Sequence, residues 1–292
     1  MHNWMRTEDV ETTLKRLARY GYESIEISGE PDRYDVDEVR ELMQEYGVDC
    51  WGSVSLMMGG NRDLIHADES VRENTVQYLK DCVTMVEQLD GEVMTIVPSE
   101  VGKTDPMESA DQEWQWAIEG LQRVHEHAEE NTDVRIGIEP LNRFETNFIN
   151  RHDQALLLAE EVGKNCGVCL DAFHINIEES DPMEAIRNTG DRLMDFHVAD
   201  NNRMAPGQGD HDWEEIVNTL KETGYDDALT VEFVPLVDRT PINKYEDTLE
   251  SITAEGDEME RFIKDHGGGN LSDELYSKLV EKTANTLRPY MG

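Results

Sequence analysis

Short runs of β-branched and other apolar residues alternate along the chain with longer stretches in which apolar residues recur every three or four positions. Runs of the first kind are typical of buried strands, and stretches of the second kind are typical of amphipathic helices. Seven strands are predicted, at Ser24–Ser28, Val48–Ser55, Glu92–Pro98, Arg135–Leu141, Gly167–Phe173, Leu193–Ala199 and Ala228–Val234. The helices predicted between them are Val10–Tyr20, Val36–Tyr46, Glu69–Leu89, Gln112–Glu130, Asp153–Val162, Met183–Asn188 and Trp213–Thr223.

The alternation of strands and helices indicates βαβ units, which build a parallel sheet. We expect an eighth strand at Met1–Met5, cut short at its start, so that the sheet closes into a (β/α)8 TIM barrel. An open, doubly wound sheet is the alternative. Dinucleotide-binding sheets of that type carry a Gly-x-Gly-x-x-Gly turn after the first strand, and this sequence has no such turn there. We predict a barrel domain over residues 1–241. A C-terminal helical extension over residues 242–292 is expected to pack on the barrel or on a partner subunit.

Acidic residues outnumber basic ones throughout the chain, with 64 Asp and Glu against 26 Lys and Arg and a formal net charge of −38. A field of this sign repels phosphate backbones and anionic lipids, so nucleic acids and membrane surfaces are disfavoured as partners. The acid is dispersed among ordinary apolar patterns, which is typical of a folded protein and not of a disordered tail. We interpret it as an adaptation to high salt, which screens self-repulsion, and predict a halophilic protein.

The expected location is the cytoplasm. No charged-then-apolar leader opens the chain, and no window approaches the roughly 18 apolar residues of a membrane span. Four cysteines are too few for a disulfide framework in a chain of 292 residues, so nothing in the cysteine pattern indicates secretion.

Metal-competent side chains recur at the downstream ends of four successive predicted strands. They are Glu139, Asp171, His197 and Glu232, separated by 32, 26 and 35 residues. Each interval is close to the ~30 residues of one strand-helix-strand unit, so in a barrel the four lie side by side at the C-terminal mouth, where active sites of this fold are found. Three carboxylates and one imidazole form a hard, oxygen-rich set that favours Mn²⁺, Mg²⁺ or Co²⁺. Taken singly, each acid could equally cap the following helix or face solvent.

Longer motifs surround these four positions. The run Glu139-Pro-Leu-Asn-Arg-Phe-Glu145 resembles the end of the fifth strand in the D-tagatose 3-epimerase family, whose members are also called D-psicose or allulose 3-epimerases. Leu170–Glu179 resembles the sixth-strand segment of that family. Phe196–Gly209 resembles its seventh-strand segment, with an Asn-Arg pair and a Pro-Gly-x-Gly loop, and Val231–Phe233 matches its eighth-strand acid. The resemblance is close from residue 135 to residue 234 and is one of pattern only in about the first hundred residues.

The resemblance implies a xylose-isomerase-like barrel that holds one divalent metal ion through Glu139, Asp171, His197 and Glu232. The ion expected first is Mn²⁺, with Co²⁺ and Mg²⁺ as alternatives. It further implies two catalytic carboxylates on opposite faces of a sugar, Glu139 and Glu232, and three side chains that bind the sugar's oxygens, Glu145, His174 and Arg203. The implied function is that of a metal-dependent ketose 3-epimerase. Such an enzyme removes a proton from the carbon next to a carbonyl group and returns a proton to the other face. The implied partners are a small ketose sugar and further copies of the chain, in a dimer or tetramer.

Other functions remain open for the same barrel. A sugar or inosose dehydratase would abstract the same proton and then lose a β-hydroxyl group, and an aldose–ketose isomerase would use the same ligands. A non-catalytic sugar-binding protein would keep the barrel without the chemistry. The apurinic endonucleases that share the barrel need a three-zinc cluster with several more histidines and a basic face for DNA, whereas the histidines here do not fall at the other strand ends and the net charge is −38. His125 and His127 stand two apart in an acidic helix and are expected at the surface.

Overall fold

Seven parallel strands follow one another around a single sheet in chain order. The structure is a computed structural model that describes residues 1–6, 8–234 and 272–291. The strands are β1 (Ser24–Gly29), β2 (Asp49–Ser55), β3 (Val93–Ile96), β4 (Arg135–Ile138), β5 (Cys166–Asp171), β6 (Leu193–Val198) and β7 (Leu229–Val231). Every neighbouring pair is parallel, and the prediction of a TIM barrel with a helical C-terminal segment is confirmed.

The first residues of the chain lie in the gap between β1 and β7. The backbone N–H of His2 donates to the carbonyl of Val231 at 3.1 Å, and that of Asn3 donates to the carbonyl of Glu26 at 3.3 Å. On the β1 side, the N–H of Glu26 donates to the carbonyl of Met1 at 3.0 Å. The eighth strand predicted at residues 1–5 is thus reduced to one bridging residue, His2, which nonetheless connects the two edges of the sheet.

Helices follow the strands along the chain and cover the sheet. They are α1 (Val10–Arg19), α2 (Val36–Tyr46), α3 (Glu69–Gln88), α4 (Ala110–Asn131), α5 (His152–Val162), α6 (Ala172–Glu178), α7 (Pro182–Thr189), α8 (Trp213–Glu222) and α9 (Asp273–Leu287). Six of them begin behind an aspartate whose side chain accepts a backbone N–H of the first turn. Part of the acidic surplus therefore serves as helix caps, which also match the positive ends of the helix dipoles.

The sequence does not predict helix α6. The apolar run Gly167–Phe173 was predicted as one strand, but β5 ends at Asp171, whose carboxylate accepts the N–H of Phe173 at 2.8 Å. This cap turns the chain directly into α6. The correction matters for the site, because it places His174 in the first turn of a helix that starts at the mouth of the barrel.

Helix α9 packs beside α1 on the outside of the barrel. The guanidinium of Arg16 contacts the carboxylate of Asp273 at 2.6 Å and the ring of Tyr276, and the hydroxyl of Tyr22 donates to the carbonyl of Val280 at 2.9 Å. The boundary predicted at residues 241 and 242 lies outside the described residues, so the division into a barrel and an extension stays a prediction.

Apolar side chains between the sheet and the helices form one continuous core. His125 is buried, with 5% of the residue exposed, so its predicted surface position is wrong. A Cβ atom on Gly163 would come within 2.1 Å of the Nε2 atom of His125, so this glycine makes room for the ring. Within the part of the chain that the structure describes, no helix has the length and apolar character needed to cross a bilayer.

Candidate metal centre

The parallel register brings the four predicted ligands to one end of the barrel. Asp171 and His197 are direct partners across β5 and β6. Glu139 and Glu232 come one residue after the ends of β4 and β7, and their N–H groups still bond to the neighbouring strands at 3.0 Å. All four side chains point into the mouth and are buried. Each offers a ligand atom within 4.8 Å of the ligand atoms of the other three.

His197 stands at the centre of this cluster. Its Nδ1 atom is 3.1 Å from Oε1 of Glu139 and 3.2 Å from Oε2 of Glu232. Among the described residues, none makes a hydrogen bond to that Oε2 atom, although it is buried. Three buried carboxylates outnumber the imidazole of His197 and the guanidinium of Arg203 that face them, and a divalent cation would compensate the remaining negative charge. The cluster therefore fits a divalent metal ion, and its oxygen-rich donor set suits Mn²⁺, Co²⁺ or Mg²⁺ better than a structural zinc ion.

Burial changes the protonation of these groups in the metal-free state. Removal from water raises the pKa of Asp171 to about 7 and raises the pKa of Glu139 above its usual range. Burial also opposes a charged imidazole at His197. The neighbouring Cys169 and carboxylates outweigh that effect and hold the pKa of His197 well above its ordinary value. In the absence of a cation, the cluster therefore retains protons that an unburied cluster would release at neutral pH.

Arg203 lies beside the cluster and joins two of the predicted ligands. Its guanidinium hydrogen-bonds to Oδ2 of Asp171 through Nη1 and is 3.3 Å from Oε2 of Glu232 through Nη2. It also stacks over the ring of Phe173, with the Cζ atom 4.7 Å from the ring centroid. The structure thus places Arg203 in contact with the candidate metal ligands themselves, a position closer to the cluster than its motif alone indicates.

His174 and Glu145 are joined through a residue that the sequence did not single out, Asn142. The backbone N–H of Asn142 donates to Nδ1 of His174 at 3.2 Å, and its side-chain amide donates to Oε1 of Glu145 at 2.8 Å. Because Nδ1 of His174 accepts a backbone N–H, the proton of the neutral ring is on Nε2. That atom lies 3.3 Å from Nη1 of Arg203 and faces the cluster. Asn142 lies inside the motif from Glu139 to Glu145, and that position was the signal in the sequence that could have identified it.

The loop that carries Arg203 is organised by Asp200, a fully buried carboxylate. Its oxygens accept the N–H groups of Gly207 at 2.8 Å and His211 at 3.0 Å, and they lie 3.4 Å from Nε1 of Trp213. Arg203 itself adopts a φ of 62°, a left-handed conformation that a side chain rarely takes without support. The Asp200 contacts hold the loop in the shape that this conformation requires.

Replacing Asp200 with asparagine is expected to lower kcat/KM by about tenfold or more and to destabilise the fold by about 2 kcal/mol. The amide has one acceptor oxygen in place of two, so at least one N–H of the loop loses its partner. Steady-state kinetics and urea unfolding measure the two effects. Asp210→Asn, at an exposed position of the same loop, is the matched control and should change neither. Equal kinetics for both variants would show that the loop does not position Arg203.

Three further buried polar residues lie beneath the cluster, inside the barrel. Glu26 on β1 and Asp195 on β6 both face the Nε2 atom of His197, at 3.4 Å and 3.3 Å. His2 contacts the same Oε2 atom of Glu26, at 3.4 Å from its Nε2 atom, which is also 3.9 Å from Oε1 of Glu232. Sequence reasoning missed all three. A glutamate in the middle of an apolar strand, and an acid two residues before a candidate ligand on the same face of β6, were the signals that could have found two of them.

Comparison with known proteins places this geometry in a family. A family model described as a xylose isomerase-like TIM barrel matches residues 14–254, and the chain belongs to that family. It is 30% identical to an L-ribulose 3-epimerase of Mesorhizobium japonicum over 227 residues, which cover 77% of this chain and 75% of that protein. It is 27% identical to a D-psicose 3-epimerase of Enterocloster bolteae over 231 residues, with 77% and 76% covered.

The likeness extends to solved structures. The crystal structure of a D-psicose 3-epimerase from Clostridium cellulolyticum H10 matches with a TM-score of 0.82 at 22% identity, covering 100% of this chain and 98% of that one, which supports the fold. The predicted resemblance to ketose 3-epimerases is confirmed by these relatives, as is the prediction of an enzyme of the isomerase class.

Proposed function

We propose that this protein is a divalent-metal-dependent ketose 3-epimerase in which Glu139 and Glu232 exchange a proton with the carbon next to the carbonyl group of a small ketose. The observation that carries the proposal is the convergence of these two buried carboxylates, from β4 and from β7, on the same imidazole at 3.1 and 3.2 Å. A pair of carboxylates on two sides of a bound sugar can act in turn as base and acid. The names of the similar proteins support the same substrate class.

Glu139, Asp171, His197 and Glu232 would hold the metal ion, with Mn²⁺ as the proposed ion. The ion would supply a Lewis acid that makes the proton beside the sugar's carbonyl group more acidic. The protein's own groups do the rest of the work. The Nε2 atom of His174 and the guanidinium of Arg203 lie 3.3 Å apart beside the cluster, and both would donate to the sugar's hydroxyl oxygens. Glu145 would act through Asn142 and the loop after β4.

The test is an exchange experiment on the purified, metal-stripped protein with Mn²⁺ restored and ketohexoses and ketopentoses supplied in D₂O. We expect deuterium uptake at C3 together with the new epimer, both followed by NMR and both dependent on the metal. Uptake with loss of water from the sugar would identify a dehydratase, and movement of the carbonyl group would identify an aldose–ketose isomerase. Tight metal binding without exchange on any free ketose would overturn the proposal.

We also propose a halophilic, cytoplasmic protein that forms a dimer or tetramer. The net charge of −38 is dispersed over the chain, and its self-repulsion falls as the Debye length shrinks from about 10 Å at 0.1 M salt to about 3 Å at 1 M. Raising KCl from 0.1 to about 2 M is therefore expected to raise the midpoint of thermal unfolding by about 5 °C or more, which corresponds to roughly 2 kcal/mol. Scanning calorimetry across the series checks this. A maximum of stability at low salt would sink the halophilic interpretation.

A further inference from the structure

Inside the barrel, directly under the candidate metal centre, lies a polar layer where barrels of this kind normally carry branched apolar side chains. It consists of His2, Glu26 and Asp195, three side chains with no exposed surface. They come from the N-terminal bridge, from β1 and from β6, so three separate parts of the sheet contribute to one spot. The ring of His2 stands edge-on to that of His197, with 4.6 Å between the ring centroids.

Within the described part of the chain, most of the polar side-chain atoms of this layer have no hydrogen bond. Over the described residues, both oxygens of Glu26, both ring nitrogens of His2, Oδ2 of Asp195 and Nε2 of His197 have no hydrogen-bond partner. Buried polar groups of this kind are costly, because each loses its bonds to water without replacement. Two buried carboxylates with unbonded oxygens indicate that a hydrogen-bond donor close to them binds more tightly in another state of the protein. Nε2 of His197 faces both carboxylates, at 3.4 Å from Glu26 and 3.3 Å from Asp195.

We propose that Glu26 and Asp195 are positioning residues that hold the Nε2 proton of His197, and that His2 keeps Glu26 turned toward it. With one proton kept on Nε2, the proton that a cation displaces is the one on Nδ1, whose lone pair then points to the space between Glu139 and Glu232. A cation bound at Nδ1 makes Nε2–H a stronger donor. The contact to the carboxylate that accepts this proton is then expected to shorten toward the roughly 2.7–2.9 Å of a charge-assisted hydrogen bond. The inference rests on the proposed metal centre but not on the reaction performed there.

Asp195 is the more firmly placed of the two carboxylates. Its Oδ1 atom accepts the N–H of Phe196 at 2.8 Å and the hydroxyl of Thr230 at 3.1 Å, which leaves Oδ2 free to face the imidazole. Glu26 has a longer side chain, and the Nε2 atom of His2 is 3.4 Å from the same Oε2 atom that faces His197. Either carboxylate can take the single Nε2 proton. Loss of one carboxylate is therefore partly compensated by the other, so the decisive test is a variant that lacks both Glu26 and Asp195.

The measurement is the Mn²⁺ affinity of the metal-stripped protein, by calorimetry and by electron paramagnetic resonance of the free ion. Partners of metal-bound histidines contribute about 10- to 100-fold in affinity. We expect a loss of that size in Glu26→Leu/Asp195→Asn and a smaller loss in each single variant and in His2→Phe. Glu23→Gln, an exposed glutamate three residues before Glu26, and Ser53→Ala, a buried hydroxyl on β2 outside the layer, should keep the parent affinity.

Stability separates positioning from a merely structural role. Because removing unpartnered buried carboxylates relieves their desolvation, the metal-free double variant should unfold no earlier than the parent in a thermal scan. A variant as stable as the parent with at least tenfold weaker Mn²⁺ binding bears the proposal out. Binding within threefold of the parent overturns it. Two Mn²⁺ ions per chain in the parent, reduced to one by Glu26→Leu, also overturns it, because the layer would then be a second cation site.

A second measurement covers the case in which the double variant does not fold. In the Co²⁺-loaded protein, the Nε2 proton of His197 gives an exchangeable, paramagnetically shifted proton resonance. Glu26→Gln keeps the shape of the side chain and removes its charge, so this resonance is expected to move and to exchange faster with water. An unchanged resonance in Glu26→Gln contradicts the proposal. Because neither readout requires turnover, failure of the proposed epimerase reaction leaves this test intact.

Discussion

Glutamine in place of Glu139 or of Glu232 is expected to lower the rate of epimer interconversion by about 10³-fold, within the 10²–10⁴ that general acid–base catalysis contributes. The amide keeps the size of the side chain and an oxygen that can face the metal, but it neither accepts nor returns a proton at neutral pH. Each variant therefore lacks the proton-transfer group of one face only. The two variants should be alike in their loss of net epimerisation, which is followed by NMR of the sugar mixture.

Deuterium exchange should then distinguish the two variants. In a reaction with one base on each face, each variant can still deprotonate the epimer whose hydrogen points to its remaining carboxylate. One variant is expected to introduce deuterium into one epimer without converting it to the other. The second variant is expected to do the same with the opposite epimer. Manganese content is measured first, so that loss of the ion is not mistaken for loss of the base. Glu214→Gln, exposed in the first turn of α8, serves as the control. Loss of exchange with both epimers in both variants would contradict the two-base mechanism.

The approximate positions of the barrel strands were predictable from the sequence because the βα period is a local property. One apolar run per unit ends at one metal-competent residue, and the parallel register then brings Asp171 and His197 side by side without further information. The motifs around Asp171 and His197 added His174 and Arg203, and the structure brings both to the cluster. What the period could not give was the strand end itself: Asp171 is both the last residue of β5 and the cap of α6, and a propensity for strands does not reveal a cap.

The layer beneath the cluster was not predictable for a different reason. His2 and Glu26 meet because the first residues of the chain lie between β1 and β7, a closure between the two ends of the sequence that no local pattern specifies. His125 shows the same limit in a helix, since the space it fills is created by the absence of a side chain at Gly163, on another element. Contacts of this kind depend on tertiary packing, which overrides the expectation that a histidine in an acidic helix faces solvent.

Removal of the metal ion is expected to abolish exchange and epimerisation to at least the same extent as loss of either carboxylate, and Mn²⁺ should restore both. The affinity for the ion is expected to depend strongly on pH. Burial raises the pKa of Asp171 to about 7 and also raises that of Glu139, while the pKa of His197 is raised by the acids around it against the effect of burial. Each of these groups must lose its proton before it can bind a cation, so protons and the ion compete for the same site.

This competition determines whether the affinity for the metal ion rises or falls with pH. Below about pH 7 the metal-free cluster holds protons that the ion has to displace, so the apparent affinity should fall about tenfold per pH unit for each proton displaced. As the pH rises past the pKa of Asp171, the competition weakens and the affinity increases. Calorimetric titration with Mn²⁺ at pH 6 and pH 8, in buffers of different ionisation enthalpy, counts the protons released. We expect at least one proton per ion at pH 6 and fewer at pH 8. An affinity that is unchanged between the two would mean that the buried carboxylates are already ionised, with another cation, such as the guanidinium of Arg203, compensating their charge.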